Sequence, residues 1–302
     1  MSEPVRGRVL IINNMNFRYG HGNRAGSQFD YRNLSMMFKD LKFDIAKSQA
    51  ELTDLRAQDI YREIQIETAR EEHKNLGMFV LVIMTHGTSG NHLLDIEGNM
   101  IPLIHIQDLL SPRNFPAMKG KPKLMILQAC SGGRRDFGES RELLPSPIST
   151  ITSSPTTEST TVSSTSVPQS TTVSSTSAPQ STTVNSTSAP QSPTISVPPP
   201  TTLNADDFFI MKASSESYMA TKSCSHGAWF IRVLVATFYK HSSHRDIESL
   251  FKIIQSRVRQ VSMADQNARS CDTQGGNVPT SSCTFTKLRK LYLFPGFRKD
   301  KD

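Results

Sequence analysis

The sequence predicts an α/β fold in which a largely parallel sheet is covered by helices on both faces. Two observations carry this prediction: short apolar, β-branched runs that stop at polar or glycine-containing segments, and stretches of helical periodicity that alternate with them. In such sheets the reactive groups gather where strands end.

Arg8–Asn13 is the first run and stops at Asn13-Asn14. Gln28–Leu41 follows, with Phe29, Leu34, Met37, Phe38 and Leu41 at mixed three- and four-residue spacings, the pattern of an amphipathic helix. Thr53–Glu72 is the second expected helix, with Leu55, Ile60, Ile64 and Ala69 on one stripe. Met78–Thr85 and Lys123–Ala129 are further buried strands. The run Met78–Met84 is the longest apolar one and far too short to cross a bilayer, so no membrane association is expected. Nearer the carboxyl terminus, Asp207–Ala213 reads as a strand that Asp207 begins, Ala228–Tyr239 and Asp246–Val261 as helices, and Leu288–Phe294 as a closing strand.

With 302 residues at 36% hydrophobic, the chain can build one globular domain of ordinary core size plus a segment that does not pack. That segment lies between Pro145 and Pro200, where Ser, Thr, Pro, Val and Gln dominate and Glu158 is the only charge. It holds an eleven-residue repeat, Ser159–Gln169, Ser170–Gln180 and Ser181–Gln191. A hydroxyl-rich, proline-punctuated stretch of this kind cannot bury a core and is expected to be an extended, disordered tether. The expected organisation is therefore residues 1–144 and 205–302 as two parts of one domain, joined by a linker over 145–204. A mucin-like stalk is the competing reading, and Asn185-Ser186-Thr187 matches a glycosylation acceptor, but no secretory leader is expected, so the match is read as chance.

The formal charge of +7 falls almost wholly on the parts expected to fold, which suits either a nucleic acid or an acidic peptide. No arginine-rich run or aromatic-basic interleaving is present, so no nucleic-acid partner is expected. Cys130, Cys224, Cys271 and Cys283 lack the paired spacing that holds zinc. The thiols are expected to be free, without metal or other cofactor, in a cytoplasmic protein.

Two expected strand ends carry chemistry. Gln128-Ala129-Cys130-Ser131-Gly132 closes the strand from Lys123, and Thr85-His86-Gly87 closes the strand from Met78. A thiolate attacks an amide carbonyl far better than a thiol, and an imidazole can hold the proton and return it to the departing amine. Glycines beside both residues would let backbone amides approach a developing oxyanion.

The segment around Cys130 resembles the caspase signature, which has a histidine about 50 residues upstream; His86 lies at a comparable distance, and Ser131 stands at the variable position. Arg8-Val9-Leu10-Ile11-Ile12-Asn13-Asn14 is similar to the caspase first strand. Arg24-Ala25-Gly26, followed by Asp30 and Asn33-Leu34, resembles the segment whose arginine binds the substrate aspartate. Asp207-Phe208-Phe209, Gly227-Ala228-Trp229-Phe230-Ile231 and Tyr292-Leu293-Phe294-Pro295-Gly296 resemble landmarks of the small subunit. The resemblance implies a three-layer sandwich around a six-stranded, mostly parallel sheet. It implies cysteine endopeptidase activity after aspartate in programmed cell death or related signalling, with Cys130 as nucleophile and His86 as its partner. It places oxyanion amides at Gly87 and Cys130 and the aspartate pocket at Arg24 and Gln128. An arginine fork matches a carboxylate, and the glutamine amide adds a neutral donor. Protein substrates are implied, and a dimer of two catalytic units, with itself or with another caspase.

The departures from the pattern are equally specific. Lys222 stands where caspases have a third substrate-binding arginine, Thr221 where they usually have tryptophan, and Ser131 where arginine usually follows the cysteine. These motivate the rival reading, a weakly active or inactive homologue that regulates another caspase by binding. No aspartate occurs from Phe137 to Ala205, so the candidate maturation sites are Asp136, Glu158 and Asp206. The stretch before the first strand is short, and no recruitment domain of the initiator kind is expected.

Overall fold

Met78–Met84 (β3) is apolar at every position and wholly buried, the signature of a strand covered on both faces. It sits at the centre of a six-stranded sheet of order β11-β8-β7-β3-β1-β2. Here β1 is Gly7–Asn13, β2 Phe43–Ile45, β7 Lys123–Gln128, β8 Phe208–Lys212 and β11 Thr280–Cys283. All neighbours are parallel except β11, which runs antiparallel to β8 at the edge. The computed structural model describes residues 5–19, 21–129, 207–214, 222–223, 226–267, 279–283 and 290–293.

Alternation along the strands divides the core in two. Val9, Ile11, Val80, Val82, Ile126, Phe209 and Met211 face α1 (Ser27–Asp40), α4 (Trp229–His241) and α5 (Ile247–Asn267). Leu10, Ile12, Leu81, Ile83, Met125 and Ile210 face α2 (Ala57–Thr68) and α3 (Leu103–Leu109). Each helix turns an apolar stripe inward, as with Leu34, Met37 and Phe38 on α1 and Leu250, Ile254 and Val258 on α5. This is the three-layer sandwich with a mostly parallel sheet that the sequence predicts.

Strands β7 and β8 pair in register, Lys123 with Phe208 and Leu127 with Lys212, although the Ser/Thr-rich segment separates them in sequence. The described residues before and after that segment accordingly belong to one compact unit. Smaller strands decorate the carboxyl ends of the sheet: β4 (Gly87–Thr88), β5 (His92–Leu94) and β6 (Met100–Pro102) form one antiparallel sheet, and β9 (Lys222–Ser223) pairs with β10 (Gly227–Ala228).

Several expectations are corrected. The helix expected over Thr53–Glu72 is α2 alone, followed by a 3-10 turn at Glu71–Asn75. Leu55 precedes it and Ala69 is exposed, while Glu67 and Thr68 are buried in its place. Asp207 does not begin β8. It occupies a turn at φ +62°, and its carbonyl accepts the amide of Lys123 at 2.8 Å. The antiparallel edge strand is Thr280–Cys283; of the closing strand expected over Leu288–Phe294, the described residues 290–293 show the isolated bridge of Tyr292 to Asp246, and the remainder lies outside the described residues. A polar Thr-Ser-Ser-Cys run has no apolar alternation to announce it, and the pairing edge of β8 makes it a strand. Among the described residues, no helix is long and apolar enough to cross a membrane.

Candidate functional site

The carboxyl ends of β1, β3 and β7 converge. The Thr85 amide donates to the Gln128 carbonyl at 3.2 Å, and the Asn14 amide to the Met84 carbonyl at 2.8 Å, so the three strands stay tied past their last paired residues. Here the chain turns outward through polar residues, and here the expected site residues lie.

His86 is half-buried where β3 gives way to the β4–β5 hairpin. Its carbonyl accepts the Leu94 amide at 2.8 Å, and the neighbouring Thr85 hydroxyl donates to the Leu94 carbonyl at 2.5 Å, which fixes the backbone that aims the ring. Imidazole Nε2 lies 2.7 Å from the carbonyl of Gly22. A carbonyl only accepts, so Nε2 carries the proton, and in the neutral ring Nδ1 is the acceptor. That is the tautomer a general base needs. The Phe17 ring packs against His86 with centroids 4.4 Å apart, and His21 lies 6.2 Å away. Gly87, the other member of this pair in the sequence, pairs with Leu93 in the hairpin.

Arg24 is only 5% exposed. One of its terminal nitrogens, Nη1, donates to the Asn14 carbonyl and the Ser27 hydroxyl, each at 2.9 Å, and to Asn13 Oδ1 at 3.3 Å. The other, Nη2, reaches the Gln128 carbonyl at 3.5 Å. These oxygens hold the planar guanidinium in a fixed orientation, and a guanidinium is the side chain whose fork matches a carboxylate. Gln128, the last residue of β7, is itself 3% exposed, and its Oε1 is buried without a hydrogen-bond partner among the described residues. A polar atom left so in a folded protein costs about 1–3 kcal/mol; Oε1 is an acceptor, so a donor is what would complete it, while the amide nitrogen is the group that could donate to a carboxylate.

The loop bearing Gly22 and Arg24 is braced from three sides. Asp54 Oδ1 accepts the amides of Met15 and Asn16 at 2.6 and 2.9 Å. Within the loop, Asn23 Oδ1 accepts the Phe17 amide at 2.9 Å. The Arg18 amide donates to Ile96 at 2.8 Å. Ile96 belongs to a turn that the buried carboxylate of Asp95 organises by accepting the amides of Ala57, Glu97 and Asn99. On the other side, Asp30 of α1 accepts the Ala228 amide at 2.8 Å, which holds β10 against the start of that helix.

Of the expected site residues, the structure thus brings Arg24 and Gln128 together and places His86 and Gly87 on the adjoining strand end. Cys130 follows Ala129, whose carbonyl accepts the Ser214 hydroxyl at 3.3 Å, and lies outside the described residues. So do Ser131, Thr221 and the candidate maturation sites Asp136, Glu158 and Asp206. Lys222 pairs through its backbone with Ala228 in β9, and its side chain is outside the described set. Sequence reasoning missed the Gly22 carbonyl, Phe17, and the acceptors around Arg24. A main-chain carbonyl has no residue signature, whereas Asn13-Asn14 was visible but read only as the end of a strand. Among the described residues no His, Cys, Asp and Glu cluster could hold a metal ion.

The layout defines an α/β protein with a histidine-centred site at the carboxyl edge of a parallel sheet, beside a buried arginine. Residues 6–289 match the caspase domain, and the chain belongs to that family. It is 26% identical to human caspase-9 over 264 residues, covering 85% of this chain and 56% of that protein. It is 32% identical to mouse caspase-3 over 140 residues, 46% of this chain and 48% of the relative. With caspase Dronc of Drosophila melanogaster it shares 23% identity over 302 residues, 97% of this chain and 56% of that one. The chain spans about half the length of these curated relatives. The crystal structure of caspase-1 from Spodoptera frugiperda superposes with a TM-score of 0.68 at 19% identity, over 96% of this chain and 90% of that chain, a likeness of fold.

Proposed function

We propose that the protein is a caspase-type cysteine endopeptidase that cleaves proteins after aspartate, acting in the cytoplasm in cell death or related proteolytic signalling. The observation that carries this reading is the His86 tautomer fixed by the Gly22 carbonyl, one strand from the buried Arg24–Gln128 pair, in a chain of the caspase family.

In this reading His86 Nδ1 takes the proton of the Cys130 thiol, and the thiolate attacks the carbonyl carbon after the substrate aspartate. The amides of Gly87 and Cys130 hold the oxyanion. As the C–N bond breaks, the protonated imidazole returns the proton to the leaving amine, leaving a thioester. Water, deprotonated by His86, then attacks the thioester and releases the carboxylic acid and the thiol. Arg24 and Gln128 hold the aspartate side chain, with Thr221 and Lys222 completing that wall, and no cofactor takes part. Two catalytic units act as a dimer, with a second copy or with a related caspase.

The substitutions at Ser131, Thr221 and Lys222 favour a second reading, a homologue of little activity that binds and regulates a true caspase. A lysine cannot reproduce the bidentate fork of an arginine. Peptides that differ only in Asp, Glu, Asn or Arg before the scissile bond separate the two. The endopeptidase reading expects turnover of the Asp peptide alone, abolished in Cys130→Ala and His86→Ala variants that remain folded. Full turnover in Cys130→Ala refutes the nucleophile, and no turnover of any peptide leaves the regulator reading.

A further inference from the structure

The geometry points to Lys212 as a positioning residue. It ties the strand that follows the Ser/Thr-rich segment to the hairpin that carries His86 and Gly87. The inference rests on the endopeptidase reading for its kinetic consequence, but not for its structural one.

Strand β8 sends Phe208 and Ile210 into the core layer of α2 and α3, and two residues further on Lys212 leaves the strand on that same face. Its ammonium donates to Asn91 Oδ1 at 2.5 Å. Asn91 sits at the tip of the β4–β5 hairpin with φ +58°, next to Gly90 at φ +73°. Its carbonyl accepts the amide of Leu103, where α3 begins, at 3.0 Å. One residue therefore receives a side-chain bond from β8 and a main-chain bond from α3, and its position sets where the hairpin lies.

At its other end Lys212 is fixed by the sheet. It stands opposite Leu127 in register, and the next residue, Ala213, donates its amide to the Leu127 carbonyl at 2.9 Å. The same bonds hold β7 just before Gln128 and Cys130. Strand β8 thus grips the nucleophile strand through its backbone and the imidazole hairpin through one long side chain. Between these two grips a cavity of about 20 Å³, lined by Thr88, His92, Leu93, Leu127, Ala129 and Lys212, has room for about one water. Leu93 of the hairpin shares one buried apolar cluster with Leu127 of β7 and with Ala129, and the charge-assisted bond from Lys212 adds a directional tie at the exposed rim of this contact. The separation of the bonded residues in sequence, with one before and one after the Ser/Thr-rich segment, makes the bond a reporter of whether the two halves are docked.

The test uses Lys212→Met, which keeps the stem and removes the donor, and Asn91→Gly, which keeps the positive φ and removes the acceptor. Amide hydrogen exchange is followed at Thr88 and His92 in the full chain carrying Cys130→Ala, so that no turnover is required. Both variants should exchange about tenfold faster at these hairpin amides while β1 and β3 amides are unchanged. With Cys130 restored, kcat should fall about tenfold to a hundredfold with KM within about twofold. The double variant should be no worse than either single one, and Asn91→Asp, which retains the acceptor, should restore most of the loss. Unchanged hairpin exchange in Lys212→Met overturns the proposal. A wild type that turns over no peptide, with the hairpin still loosened by Lys212→Met, sinks the endopeptidase reading and leaves the positioning role standing.

Discussion

Replacing Gly227 by alanine tests how the two halves of the chain are locked together. Gly227 has φ +82°, a conformation that costs a residue with a Cβ about 1–2 kcal/mol. A Cβ there would come within 2.3 Å of Asp30 Oδ1 and 3.3 Å of the Gly26 carbonyl. Asp30 is 2% exposed and accepts the amide of the very next residue, Ala228, at 2.8 Å. The carboxylate cannot retreat without stretching that bond, and a hydrogen bond to a charged group contributes about 1.5–3 kcal/mol. The two effects together predict a loss of about 3–5 kcal/mol. For a folded unit of this size that corresponds to a fall in Tm of roughly 10 °C. Thermal and urea unfolding of wild type, Gly227→Ala, Asp30→Ala and the double variant would measure it as a cycle. With the carboxylate gone the alanine should cost only the backbone part, so the coupling between the two positions should reach at least about 1 kcal/mol. A Gly227→Ala protein that melts within about 2 °C of wild type, or an equal cost in both backgrounds, refutes the lock.

Three further outcomes are expected. Glu67 is buried, which by itself raises its pKa. Its bonds to His73 and Arg8 outweigh that and hold the carboxyl below the usual carboxylate range. Its stabilising contribution is therefore complete above the ordinary Glu value near pH 4.3 and is lost as pH falls from there through the lower folded value. Glu67→Gln should cost about 3 kcal/mol in urea unfolding at pH 7 and progressively less below about pH 4, and a gap that does not narrow with acid refutes this account. In the proposed peptidase, Arg24→Ala should remove the preference for aspartate with a loss of about 3–5 kcal/mol in kcat/KM, and Lys222→Arg should raise turnover, both read on the peptide panel. Maturation should proceed without any cut or, through a protease that tolerates glutamate, by a cut after Glu158, because the aspartate-free run from Phe137 to Ala205 offers no aspartate inside the repeats. Mass spectrometry of the active species, with Glu158→Ala and Asp206→Ala compared to wild type, checks it, and activity that strictly requires a cut after Asp136 contradicts it.

The sequence by itself determined the buried strands, because Met78–Met84 and the stretch Leu124–Leu127 are covered on both faces and are apolar throughout. It determined helices α1 and α4 for the same reason: their inward stripes repeat at the helical period. It also singled out His86, Gln128 and Arg24, whose side chains carry their chemistry with them. Tertiary structure alone decided the rest. The polar strand Thr280–Cys283 exists because β8 offers it an edge, and nothing in its own side chains demands pairing. Lys212 read as the tail of a strand, and its bond to Asn91 arises only once β8 docks beside β7 across the Ser/Thr-rich segment. The orientation of the catalytic candidate His86 comes from the carbonyl of Gly22, a group every residue possesses, and only the path of the braced loop places it 2.7 Å from the ring. Side-chain identity is written in the sequence. Where the backbone brings its own donors and acceptors is settled by packing.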